Sequence, residues 1–213
     1  MKNPTEIFDT LFKTYPLLLP CCDSIEQAFK ALTECAKANA TVLVCGNGGS
    51  AADSEHIVGE LMKGFNLKRP LSSEQKKLFK DLPDGEAFAD KLQRGIRAIS
   101  LVSQTGLITA FSNDVAADMI FAQQVFAYAQ RSEDVLIALS TSGNSKNVVN
   151  SVYAAKAAGI RSVSITGENV SKLSEYSDIT IKLPAHTPFE VQELTLPVYH
   201  ALCAAVEAEM FDE

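Results

Sequence analysis

Four side chains stand out for the chemistry that they could do together. His56 and Glu60 lie four residues apart, a spacing that places both on one face of a helix. Gln192 and His200 lie eight apart in "VQELTLPVYH". On an ideal helix that is about two turns with an angular offset of roughly 80°, so they can share a broad face. Imidazoles and carboxylates serve as general acids and bases and as metal ligands. The same pairs also occur on ordinary solvated helix faces, and spacing alone leaves both readings open. The third histidine, His186 in "PAHTP", reads as an ordinary loop residue.

Two loops carry a second kind of chemistry. "CGNGGSAADSEH" (45–56) follows the β-branched run "TVLVC", and "STSGNS" (140–145) follows "VLIAL". Glycine lets a backbone approach a ligand closely, and the start of a helix presents unpaired N–H groups. Ser140, Thr141, Ser142 and Ser145 can each donate to a phosphate oxygen, while Gly143 permits the tight turn. A serine-rich helix cap is the alternative for either loop alone, and two such loops in matching contexts favour a ligand. Neither has the lysine of a mononucleotide loop or the GxGxxG order of a dinucleotide site. A ligand with one phosphate and many hydroxyls, a sugar phosphate, fits better.

These groups need a frame. "TVLVC" (41–45), "RAISLV" (97–102), "VLIAL" (135–139), "RSVSIT" (161–166) and "DITIKL" (178–183) read as five strands. Between them lie helical patterns such as "SKNVVNSVYAAKAAG", with Val148, Val149, Val152, Ala155 and Ala158 in a stripe and Gly159 as a stop. Continuous apolar strands alternating with amphipathic helices predict an α/β fold, a parallel sheet covered on both faces. Further helices are expected before residue 40 and after 187, the latter with a possible kink at Pro197. The polar stretch 69–95 interrupts the rhythm and reads as an insertion making a surface excursion. Its "SSEQKKLFKDL" predicts a short amphipathic helix with Leu78, Phe79 and Leu82 inward.

The 213 residues, 46% hydrophobic, suit a single domain over 1–213. A net charge of −7 argues against sequence-independent nucleic-acid binding. No apolar run is long enough to span a membrane, and the amino end lacks a secretory pattern, so a cytoplasmic protein is expected. Five cysteines without CxxC spacing indicate neither a disulfide framework nor a cysteine zinc cluster.

Taken together, "CGNGGSAADSEHIVGEL", "SND", "STSGNS" and "VQELTLPVYH" resemble the sugar isomerase (SIS) domain family, nearest its phosphoheptose isomerase branch. That resemblance implies a three-layer α/β/α sandwich with a five-stranded, flavodoxin-like, doubly wound sheet. It implies substrate contacts at Asn47, Gly48, Gly49, Ser50, Asn113, Asp114, Ser140, Thr141, Ser142, Ser145 and Gln192. It also implies one zinc ion per active site on His56, Glu60, Gln192 and His200, with Glu60 and His200 as the acid–base pair. The implied reaction converts sedoheptulose 7-phosphate to D-glycero-D-manno-heptose 7-phosphate through an enediol, in a homotetramer with sites at subunit interfaces. Glu60, as a base, is expected to be partly buried. A non-catalytic sugar-phosphate regulator, or a SIS protein that associates with a replication initiator, is the alternative. The chain departs from the family at Thr195, where a histidine is often found, at Lys63, near a common arginine, and at the insertion.

Overall fold

The computed structural model describes residues 3–211. In chain order the helices and strands are α1 (Pro4–Thr14), α2 (Cys22–Lys37), β1 (Val42–Cys45), α3 (Gly49–Met62), α4 (Ser73–Lys77) and α5 (Gly85–Ala89). They continue with β2 (Ala98–Ser100), α6 (Thr105–Phe111), α7 (Ile120–Tyr128), β3 (Val135–Leu139) and α8 (Lys146–Ala158). The last are β4 (Arg161–Gly167), α9 (Lys172–Tyr176), β5 (Ile179–Leu183) and α10 (Pro188–Phe211). A π-helical turn, Ser112–Ala116, joins α6 to the segment before α7.

All five strands are parallel, in the order β2-β1-β3-β4-β5. Alternation along each strand divides the core in two. Val42 and Val44 of β1 and Val135, Ile137 and Leu139 of β3 face a cluster built with α1, α2, α3 and α10. Leu43, Cys45, Leu136 and Ala138 face the other, built with α7 and α8. This is the doubly wound three-layer sandwich. The order reverses between β1 and β3, and the crevice beyond their carboxyl ends is the switch point at which such sheets bind ligands. Both glycine-serine loops open there.

The five cysteines are free and four are buried. Burial pushes the thiols of Cys35, Cys45 and Cys203 up to about 12, which leaves them protonated and inert. No helix among the described residues is long and apolar enough to cross a membrane. Helix α10 continues as one element through Pro197.

Two expectations for the 69–95 stretch need correction. Leu78 and Leu82 point outward, 78% and 53% exposed, because α4 is only five residues long and has no buried residue. Phe79 packs instead on Phe88 within the excursion, ring centroids 5.5 Å apart. At its start, Arg69 belongs to the core, with 0% exposure. Its Nε donates to Glu207 of α10 at 2.7 Å, and its two terminal nitrogens donate to the carbonyls of Leu61 and Glu60. Glu207 also accepts the backbone N–H groups of Phe65, Asn66 and Leu67. An isolated buried charge is costly, whereas here both ions are paired and hydrogen-bonded.

Removing one member of a buried pair leaves the other uncompensated. Glu207→Ala is expected to lower the unfolding free energy by about 3–5 kcal/mol, read as a lower urea midpoint. A midpoint within error of the wild type would show that the pair does not hold the α3–α10 junction.

Candidate active site

The loop after β1 turns at Gly48, whose φ of 56° is readily adopted only by glycine. Gly49 opens α3, and the space that a Cβ would take there is filled by the amide of Gln192. Ser50 is buried in the first turn. Asn47 and Asn147 exchange two amide hydrogen bonds, of 2.8 and 2.9 Å, which tie the loop after β1 to the start of α8. Asn147 had no signal in the sequence beyond its place one residue inside a helix.

The loop after β3 is braced from behind. Gly143 has φ 65° and lies against Ser171. Its carbonyl accepts from Leu173, and Asn144 Oδ1 accepts from the Lys172 N–H. Ser140 donates to Ser145 at 3.1 Å, and Ser142 Oγ accepts from the Asn144 N–H. Helices α3 and α8 thus begin at one crevice, each adding unpaired N–H groups and the positive end of its dipole, an arrangement that suits an anion. A cleft of about 230 Å³ beside it is lined by Thr141, Ser142, Asn144, Gly167 and His186. His186 therefore borders the serine loop, and its Nε2 pairs with Glu168 at 3.1 Å.

On α3, Asp53, His56 and Glu60 fall on one stripe facing α10. Glu60 is nearly buried, with Oε1 3.2 Å from Nε2 of His56 and Oε2 3.0 Å from Nζ of Lys63. The partial burial expected of a base is found. The imidazoles of His56 and His200 lie edge to face at 5.0 Å, and Phe65 packs on His200 at 5.4 Å. Burial, then the charge of His56, hold His200 below its ordinary value, against the opposing pull of Glu60. Nε2 of His200 is buried without a hydrogen-bond partner. His200 and Phe65 also line a cavity of about 310 Å³ between α1 and α10. Tyr199, missed in the sequence because a helix aromatic reads as core, places its hydroxyl 2.9 Å from Nδ1 of His56. Burial raises Asp53, against the hydroxyl of Tyr199 and the charge of His56.

The structure brings His56, Glu60 and His200 together. The amide of Gln192 sits on Gly49, seven residues or about 10 Å of helix rise before His56, so within one chain it joins the loop end of the site. Asn113 and Asp114 bond each other on the exposed π-helical turn. Thr195 is buried and closes on the Val191 carbonyl of its own helix. Among the described residues no group of three His, Cys, Asp or Glu side chains is closed around a point that could hold a metal ion. The donor chemistry nevertheless fits one: the 3.2 Å between His56 Nε2 and Glu60 Oε1 is close to the ~3.3 Å edge of a tetrahedron with bonds of ~2.0–2.1 Å. The ring of His200, whose Nε2 has no hydrogen-bond partner, packs edge to face on the His56 ring.

The family profile described as SIS domain matches residues 98–205, and a second SIS domain profile matches 21–84. The phosphoheptose isomerase of Akkermansia muciniphila is 31% identical over 92% of this chain and 91% of its own. That of Thiobacillus denitrificans is 35% identical over 86% and 82%. The chain belongs to the SIS domain family, in its phosphoheptose isomerase branch. Among solved structures, the phosphoheptose isomerase of Neisseria gonorrhoeae superposes with a TM-score of 0.70 at 27% identity, covering 95% of this chain and 94% of that one. The Francisella tularensis phosphoheptose isomerase gives 0.72 at 25%, covering 97% and 98%. The Vibrio vulnificus NanR protein complexed with ManNAc-6P shares the fold alone, at 15% identity and a TM-score of 0.55.

Forcing a Cβ into the left-handed turn at Gly143 costs ~1–3 kcal/mol and pushes on Ser171. Gly143→Ala should therefore weaken binding of a sugar phosphate about tenfold or more, while leaving that of the unphosphorylated sugar unchanged, by calorimetric titration. Equal losses for both ligands would remove the phosphate assignment.

Proposed function

We propose that this chain is a phosphoheptose isomerase that converts sedoheptulose 7-phosphate to D-glycero-D-manno-heptose 7-phosphate. The observation that carries the reading is the nearly buried Glu60 carboxylate beside an imidazole, His200, whose Nε2 is left without a partner. A regulator that only binds a sugar phosphate has no use for that pair.

The phosphate is held by Ser140, Thr141, Ser142 and Ser145 with the N-terminus of α8, and Asn47, Gly48, Gly49, Ser50 and Gln192 contact the sugar from the loop after β1. Glu60 takes the proton from C1 of the ketose while the carbonyl oxygen O2 gains one, giving the enediol. Glu60 returns the proton at C2 as the O1 proton leaves to form the aldehyde, and His200 carries protons between O1 and O2. Lys63 holds Oε2 of Glu60 in place, and Nε2 of His56 stands 3.2 Å from Oε1. The lowered His200 stays neutral at pH 7, so one ring nitrogen can accept while the other donates. Zinc, held by His56, Glu60 and His200, would supply Lewis-acid polarisation of the carbonyl, and Gln192, which lies at the loop end within one chain, could join it only from a neighbouring subunit.

A homotetramer completes the reading. Leu107, Val115, Met119 and Phe126 are exposed around the turn that carries Asn113 and Asp114, and a second subunit covering that face would bring the two residues to a site. A cytoplasmic location completes the proposal, since a sugar phosphate does not cross lipid unaided and the enzyme must share its compartment.

Glu60→Gln is nearly isosteric but cannot accept a proton at neutral pH. With zinc supplied, the kcat for aldose formation from the ketose 7-phosphate should fall about 10²–10⁴-fold while substrate still binds. Unchanged turnover would exclude Glu60 as the base.

A further inference from the structure

Tyr199 has no part in the reaction described above, yet it is 2% exposed and its hydroxyl bridges two polar groups of α3. The oxygen lies 2.9 Å from Nδ1 of His56 and 3.3 Å from Oδ1 of Asp53. Phenylalanine would fill the same space, so the hydroxyl needs its own account. Counting protons supplies it. A phenol has one hydrogen to donate, and a carboxylate has none. Were the phenol to donate to Nδ1, the Asp53 oxygen would face the phenolic oxygen with no proton between them. When it donates to Asp53, its oxygen is left to accept, and Nδ1 of His56 carries the hydrogen. With Asp53 ionised, only that order satisfies all three groups.

The consequence falls on the other side of the ring. With its hydrogen on Nδ1, His56 presents a lone pair at Nε2, which faces Glu60 Oε1 across 3.2 Å. Two acceptors at that distance repel unless a proton or a metal ion lies between them, and the imidazole–carboxylate set is one that suits a divalent metal. We infer that Asp53 and Tyr199 are positioning residues that hold His56 in the Nδ1–H tautomer and aim Nε2 as a ligand at a divalent metal shared with Glu60. The inference rests on the zinc reading above and extends it to two residues that touch neither metal nor substrate. Such outer partners of a ligating imidazole typically contribute 10–100-fold to metal affinity.

The chain has three histidines, so its ring nitrogens give three spin systems in a ¹⁵N-labelled sample. In the zinc-loaded wild type, His56 should show a slowly exchanging Nδ1–H and a metal-shifted Nε2. By competition with a chromophoric chelator, Tyr199→Phe should bind zinc about 10–100-fold more weakly, with thermal unfolding of the metal-free variant close to wild type. Asp53→Asn keeps an oxygen acceptor and should retain most of the affinity that Asp53→Ala loses. Wild-type affinity in Tyr199→Phe, with the Nδ1–H signal intact, overturns the inference and leaves the zinc reading standing. Zinc bound through Nδ1 in the wild type overturns it whatever the variants do. A wild type that binds no zinc removes the metal reading and this inference with it.

Discussion

The active-site geometry depends on the buried ion pair between Arg69 and Glu207. Helices α3 and α10 carry most of the reactive groups, and the chain leaves α3 at Lys63 through a turn with several N–H groups to satisfy. Glu207 takes three of those N–H groups and the Arg69 guanidinium, while Arg69 in turn takes the Leu61 and Glu60 carbonyls at the end of α3. The pair therefore clamps the end of the helix that bears Glu60 to the helix that bears His200. It also fixes Phe65 against the His200 ring.

The opposite end of the same two helices is set by a different constraint. Gly49 lets Gln192 approach the start of α3, and the strand order places that start beside the serine loop after β3. Anion recognition at the loop ends and proton transfer at Glu60 are thus separated, Glu60 standing eleven residues, about three turns, along α3 from Gly49. The backbone and hydroxyls do the first task. A few partly buried ionisable side chains do the second, where lowered solvation sharpens their interactions.

Much of this frame was legible in the residues. The central strands β1 and β3 are continuous apolar runs buried on both faces, as a doubly covered sheet requires, and the two loops announce themselves by glycine and serine after a strand. His56 and Glu60 meet as their four-residue spacing predicts. What was not legible required knowing what covers what. The periodicity of "SSEQKKLFKDL" identifies an apolar face but not whether any element lies over it, and among the described residues Leu78 and Leu82 stay largely exposed. Arg69 and Glu207 look like solvated charges because their partners are 138 residues apart. Tyr199 reads as core, since nothing local reveals that its hydroxyl meets Asp53 and His56.

The central claim is that a proton leaves and returns at carbon under Glu60. The most direct measurement is to run the wild-type enzyme with zinc and the ketose 7-phosphate in deuterated water and to examine the recovered sugars by NMR. The account predicts deuterium at the carbon next to the carbonyl in product and in unreacted substrate, because an enediol exchanges its proton through the base. Aldose formed with no deuterium at that carbon would contradict it, as would a ketose returned unlabelled and unconverted.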